Sequence, residues 1–238
     1  MIATYVEDKL TPVPVDDMLR IVGDVLPAYI PGARDKVRAL VLAKMALETA
    51  RFVKVHRFNL GNQKCTPTMG GQFTCFTCDE IIQGKRIVFR PDTPHNPKDP
   101  LGLPDARFPP PTVPPGNPQS RFRAFANAYD GVYQYFDLLS NLKRYRASWI
   151  ALASGDAAVF IGALASAGYF TADRNKYLKA VVSLQAEFER RIAGATPVQQ
   201  LRDPELERLF ERALAAQFSL DELLRETPPS DDPGGLVA

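Results

Sequence analysis

The sequence predicts an α+β protein, a mainly helical body with a small β lobe set into it. Three observations carry this. Apolar residues recur at helical spacing before residue 50 and again after residue 127. Between residues 57 and 90, Gly, Thr and Asn interrupt short β-prone runs. No apolar run approaches the ~20 residues of a membrane span, so the apolar segments belong to a folded core.

In chain order, residues 15–26 read as an amphipathic helix capped by Asp16 or Asp17, with Leu19, Ile21, Val22 and Val25 as its stripe. Pro27 and Pro31 break it. Asp35 opens a second helix, mostly Ala, Leu, Val and Met, that ends near Glu48; Asp35, Lys36, Arg38 and Lys44 mark its wet side. Runs at 72–76 and 86–89 read as strands. The turn-forming Gln83-Gly84, between Ile81-Ile82 and Ile87-Val88, predicts a hairpin with Glu80 at its head. Residues 91–118 hold eleven of the 21 prolines and read as an extended surface excursion of polyproline character.

Residues 121–125 alternate polar and apolar, as a strand does. Asn127 or Asp130 caps a helix to residue 142, with Val132, Tyr133, Phe136, Leu139 and Leu142 inward. Helices over 144–153 and 156–167 follow, Asp156 serving as N-cap and Gly168 as the C-terminal signal. Asp173 starts another helix to about residue 192. The expected organisation is one domain over 1–193, a helical extension over 194–226 that docks, self-associates or binds a protein partner, and a disordered tail over 227–238.

A formal net charge of +2 over 238 residues, with no basic run, argues against nucleic acid and suits a mildly anionic partner. The start, Met1-Ile2-Ala3-Thr4-Tyr5-Val6-Glu7-Asp8, lacks the basic and apolar regions of a signal peptide. The expectation is synthesis in the cytoplasm without membrane insertion.

Cys65, Cys75 and Cys78 fall within fourteen residues, with His56 and His95 to either side. Three readings stand: a structural Cys3His zinc site, one disulfide with a free thiol, or small apolar fillers in a tight lobe.

From Ala39 to Leu47 the only charged residue is Lys44, so most of this helix has to be buried. A carboxylate at its end, Glu48, sits partly out of water and near the negative end of the helix dipole, and both disfavour the ionised form. A carboxylic acid that keeps its proton is what a glycosidase needs to protonate a leaving sugar oxygen. The alternative is a Glu on a solvated helix edge, paired with Lys44 or Arg51.

Ala46-Leu47-Glu48-Thr49-Ala50, followed by Phe58-Asn59-Leu60-Gly61-Asn62, resembles the ALES-(A/G)…N-(L/V)-F-G-(I/V)-K signature of the glucosaminidase family, typified by the flagellar-rod muramidase and Gram-positive autolysins. Thr77-Cys78-Asp79-Glu80-Ile81-Ile82-Gln83-Gly84-Lys85 resembles the family's T-T-E-x-x-x-G-K hairpin, and Phe122-Arg123-Ala124-Phe125 its FR-x-Y. Ser140-Asn141-Leu142-Lys143-Arg144-Tyr145 resembles L-x-x-N-P-R-Y, and Ala167-Gly168-Tyr169-Phe170-Thr171-Ala172-Asp173, with Tyr177 and Lys179, resembles AGYATDPxYAxK. Five blocks in order span about residues 38–184. Two departures stand out: Gly61-Asn62 where the family has Phe-Gly, and Lys143 where it has proline.

The resemblance implies a lysozyme-like fold, two lobes with a cleft between them, in which residues 91–118 are an insertion. It implies an endo-β-N-acetylglucosaminidase that hydrolyses β-1,4 bonds of peptidoglycan glycan strands, without a catalytic cofactor. A phage lysin, a virion-borne hydrolase or a secreted effector would suit a chain without a leader. A wall-binding or phage-tail protein that lost catalysis, and a muramidase or lytic transglycosylase, are the rival readings. By the same resemblance Glu48 is the general acid, Glu80 the second acid with Asp79 as its local rival, and Tyr169 lines the catalytic cleft. Phe58, Asn59, Tyr145 and Tyr177 are suited to stacking on sugar rings or hydrogen-bonding them, with core packing the plainer reading of Tyr145 and Tyr177.

Overall fold

The computed structural model describes residues 3–66, 70–82, 85–170 and 173–194. The extension and tail expected beyond residue 194 lie outside the described residues, as do Gln83 and Gly84. In chain order the elements are β1 (Thr4–Tyr5), α1 (Val15–Tyr29), α2 (Asp35–Glu48), β2 (Gln72–Cys75), β3 (Cys78–Ile82), β4 (Lys85–Phe89), β5 (Arg121–Ala124), α3 (Ala128–Asn141), α4 (Arg146–Ala153), α5 (Ala157–Ser166) and α6 (Arg174–Ile192).

The body is built around α2. Val37 and every residue from Ala39 to Leu47 are buried, because α6, α1 and α4 all pack on this helix. Met18, Val22 and Val25 of α1, Val132, Phe136 and Leu139 of α3, Phe160 of α5, and Val181, Leu184 and Phe188 of α6 complete one continuous core. Each such side chain contributes roughly 1.5–3 kcal/mol by leaving water. Three of the predicted N-caps close their helices: Asn127 Oδ1 accepts from Asp130 N at 2.9 Å, Asp156 Oδ1 from Ala158 N at 2.8 Å, and Asp173 Oδ1 from Lys176 N at 2.9 Å. Helix α1 instead begins after Pro14, and Asp16 and Asp17 lie inside its first turn without a side-chain cap.

Helix α1 does not stop at Pro27 but runs on to Tyr29. Its last turn is held by Tyr29, whose ring packs on Phe136 and Trp149 and whose hydroxyl donates to Asp137 at 2.6 Å. Tertiary contacts thus override the local break. The wet side expected for α2 is corrected in part: Asp35 and Lys36 are exposed, but Arg38 and Lys44 are not. Arg38 donates to the Leu19 carbonyl of α1, and Lys44 is fully buried, because helices cover α2 on the faces that carry these cations.

The β lobe holds two small sheets. β1 pairs parallel with β2, and β2 antiparallel with β5, giving the order β1-β2-β5. The two-residue β1 carries too little sequence signal to be anticipated. β3 and β4 form the expected hairpin, with Glu80 opposite Ile87. Residues 91–118 return to the fold through Asn117, which is fully buried. Its Nδ2 donates to Thr93 O at 3.2 Å and Gly102 O at 2.9 Å, and its Oδ1 accepts from Gln119 N at 2.9 Å. Asn117 thus cross-links the excursion internally, and Arg121 of β5 ties it to the sheet by donating to Pro115 O and Gly116 O at 2.6 Å each. No helix among the described residues is long and apolar enough to cross a membrane.

Candidate functional site

The chain leaves α2 by an unusual route. Thr49 Oγ1 donates to Met45 O at 2.7 Å and accepts from Phe52 N at 3.1 Å. Ala50, Arg51 and Phe52 then follow in the left-handed region, with φ of 47°, 56° and 67°. Arg57, Phe58 and Asn62 share that conformation, at 48°, 55° and 47°. L-residues avoid it, and such strain persists only where the surroundings over-determine it, as they do at functional sites. Here Phe52 and Leu60 are fully buried anchors, and Arg51 pairs with Glu187 at 2.8 Å. Six strained residues within thirteen positions after Glu48 single this loop out.

Glu48 lies at the junction of helix end and loop. Its Oε1 accepts the Tyr177 hydroxyl at 2.6 Å and lies 3.1 Å from Lys44 Nζ. Asn62 Nδ2 is 3.3 Å from Oε2 and 3.1 Å from the Glu48 carbonyl. The Glu48 side chain keeps 14% of its surface open, whereas Lys44 has none. The Lys44 ammonium sits 3.9 Å over the Tyr169 ring and 5.5 Å from that of Tyr135, where cation–π attraction replaces part of its lost hydration.

The surroundings of Glu48 are thus not the apolar pocket that helix composition suggests. They are a polar knot inside an apolar shell. The Lys44 pairing at i−4 is present, but in the interior rather than on a solvated edge. Burial pushes the Tyr169 and Tyr177 phenols well above their ordinary range, and the Glu48 charge adds to it. Both therefore remain hydrogen-bond donors at any physiological pH. Tyr169 uses its hydroxyl on Gly61 O at 3.0 Å, pinning the strained loop, and its ring lies 5.5 Å from that of buried Tyr145.

Glu80 is 28% exposed on β3, and Lys64 Nζ holds its Oε1 at 2.9 Å. Lys64 is fixed in turn by the Gln119 carbonyl at 2.6 Å and by the Phe122 ring, 4.1 Å below its ammonium. Asp79 is buried and paired with Arg86 at 2.9 Å, so the two neighbouring acids have different surroundings. Asn59 is buried, and its amide N–H groups go to Gln63 O at 2.9 Å and Arg123 O at 3.1 Å. It thereby ties the loop to β5. Phe58 is partly exposed at the edge of the main core.

Cys65, Cys75 and Cys78 are free thiols. Cys65 and Cys75 pack with Ala3 and Phe73 in a small second core, and Cys78 Sγ lies 3.2 Å from Gln119 O. Burial pushes the Cys75 and Cys78 thiols up to about 11. Among the described residues no group of three or more His, Cys, Asp or Glu side chains is placed to hold a metal ion.

Lys64 and Tyr135 enter the site without having been singled out by sequence, and Asn62 was marked there only as a departure from the signature. Lys44 did carry a signal, as the one charge in an otherwise apolar stretch four residues before Glu48.

No known family model matches the chain, and no curated protein does. Among solved structures, a peptidoglycan hydrolase mutant from Sphingomonas sp. A1 is similar over 76% of this chain and 97% of its own, with 19% identity and a TM-score of 0.51. The glycoside hydrolase domain of FlgJ from Salmonella typhimurium aligns over 86% of this chain and 98% of its own, with 18% identity and a TM-score of 0.43. At such identity the likeness to the Sphingomonas structure speaks for architecture alone. The chain has an α+β, lysozyme-like fold, a helical body with a small β lobe, as the resemblance of the five sequence blocks implies.

Proposed function

We propose that the protein is a glycoside hydrolase that degrades the glycan strand of peptidoglycan, with Glu48 as the acid that protonates the departing glycosidic oxygen and Glu80 as the second carboxylate. One observation carries this reading above the rest. Asn62 holds Glu48 and Lys64 holds Glu80, so two acids from different lobes are gripped by residues two positions apart on one strained loop. Glycosidases need a pair of carboxyl groups flanking the scissile bond. The Sphingomonas structure of similar architecture is a peptidoglycan hydrolase.

The finer reading is an endo-β-N-acetylglucosaminidase. It rests on the ALETA and AGYFTAD blocks around Glu48 and Tyr169. In this reading Glu48 donates a proton as the glycosidic bond lengthens, and Glu80 stabilises the oxocarbenium-like transition state or directs water to it. Tyr177 and Asn62 orient Glu48. Tyr169 sets the loop, and the exposed edge of Phe58 offers a stacking face to a sugar ring.

The test compares wild type with Glu48→Gln on purified peptidoglycan, following turbidity and the new reducing ends. Gln keeps the shape and removes the proton donor. Fragments ending in reducing N-acetylglucosamine from wild type alone support the reading. Reducing N-acetylmuramic acid ends would make it a muramidase. Binding to the wall without cleavage would make it a recognition module.

A further inference from the structure

The two oxygens of Glu48 are not equivalent. Oε1 receives the Tyr177 hydroxyl proton at 2.6 Å and faces the Lys44 ammonium at 3.1 Å. That second contact is too oblique to be a hydrogen bond, so it acts through charge. Oε2 is approached by Asn62 Nδ2 at 3.3 Å. The ammonium is itself held in place: its side chain has no exposed surface, and the Tyr169 and Tyr135 rings bracket it.

A carboxylic acid carries its proton on one oxygen. Tyr177 alone does not choose which, because a hydroxyl both donates and accepts. Lys44 does choose, because an ammonium has three donors and no lone pair. A proton on Oε1 would point an O–H toward a positive charge in a low-dielectric interior, where that repulsion is strong. On Oε2 it meets only the Asn62 amide, which can turn its N–H to the Glu48 carbonyl at 3.1 Å.

We infer that Lys44 is a positioning residue that keeps the acid proton of Glu48 on Oε2, leaving Oε1 as the carbonyl oxygen bonded to Tyr177. The inference deepens the function proposed above and rests on Glu48 acting as an acid there. In the catalytic step the proton passes from Oε2 to the glycosidic oxygen as the C–O bond to the leaving sugar breaks. The resulting carboxylate is neutralised by Lys44 and Tyr177 without rearrangement, the kind of preorganised charge stabilisation that lowers a barrier.

The experiment uses Lys44→Met, which keeps length and apolarity, and Lys44→Gln, whose amide both donates and accepts. Thermal unfolding establishes that each folds. The infrared difference between each protein and its Glu48→Gln counterpart at acidic pH isolates the C=O stretch of protonated Glu48. In wild type we expect a single low-frequency band, from a carbonyl bonded to Tyr177 and beside a cation. Both Lys44 variants should shift it upward or split it as the proton samples both oxygens. Turnover on peptidoglycan should fall on the order of tenfold or more at unchanged KM, since proton donation and not binding is impaired.

An unshifted single band in both variants overturns the inference, as does a shifted band with wild-type turnover. The spectrum needs no catalysis. A band shifted in both Lys44 variants, together with a wild-type protein that leaves peptidoglycan intact, therefore sinks the proposed function and supports the proton placement.

Discussion

Gly61 lies against the ring of Tyr135: a Cβ at position 61 would fall 2.6 Å from Tyr135 Cδ2 and 3.5 Å from the Tyr169 hydroxyl. Gly61 is not among the residues of positive φ, so space and not conformation demands glycine here. Tyr135 is fully buried and cannot yield. Glycine at position 61 thus makes room for the tyrosine behind it, and the next residue, Asn62, reaches Glu48. Gly61→Ala is expected to push the loop outward. Hydrolysis should fall at least ~10-fold, since small misplacements of catalytic groups carry large penalties, while the melting temperature drops only a few degrees. Wild-type activity in the variant would show that loop position is unimportant.

The hairpin acid can be separated from its support. Glu80→Gln is expected to lower turnover on the order of 10²-fold with peptidoglycan binding intact. Lys64→Met, which frees Glu80 from its 2.9 Å partner, should produce a smaller loss of the same kind. Sedimentation with insoluble peptidoglycan measures the binding and reducing-end release the turnover. A Glu80→Gln variant as fast as wild type would remove Glu80 from the mechanism.

The thiols give a pH dependence with a defined sign. Cys75 and Cys78 are raised from an ordinary value of 9.0 to about 11 by burial. Unfolding releases them to ionise, so the unfolded chain binds fewer protons than the native one between these values. Their contribution to stability is complete below about pH 9 and is lost as pH rises toward 11. Urea unfolding at several alkaline pH values should show this decline, and Cys75→Ala/Cys78→Ala should flatten it. In denaturant without reductant three thiols should react, matching the three free cysteines; a disulfide would leave one.

Asn117 is the internal cross-link of the proline-rich segment, beside the donations of Arg121 to Pro115 O and Gly116 O. Asn117→Ala removes hydrogen bonds to Thr93, Gly102 and Gln119 in a fully buried setting. A loss of about 1–3 kcal/mol is expected from the unsatisfied partners, along with faster protease cleavage within residues 91–118. Unchanged cleavage would show that other contacts hold the segment.

Apart from the two-residue β1, the sequence by itself determined the strands and helices and their order. The 3.6-residue periodicity of residues 15–48 and 128–192, the caps Asn127, Asp156 and Asp173, and the hairpin over β3 and β4 are local signals, and local chemistry decides them. It determined, too, that Glu48 ends a helix with almost no polar face. Tertiary structure decided the rest. Whether Pro27 ends α1 depended on Tyr29 finding Phe136, Trp149 and Asp137. Whether Lys44 was wet or buried depended on which helices cover α2, and no periodicity within α2 records that. Tyr177 reached Glu48 from 129 residues away, and Lys64 reached Glu80 through a loop whose strained path is imposed by Phe52 and Leu60 in the core. Contacts between residues far apart in the chain close only when the whole core has formed, so the polar knot around Glu48 is a property of packing and not of any one segment.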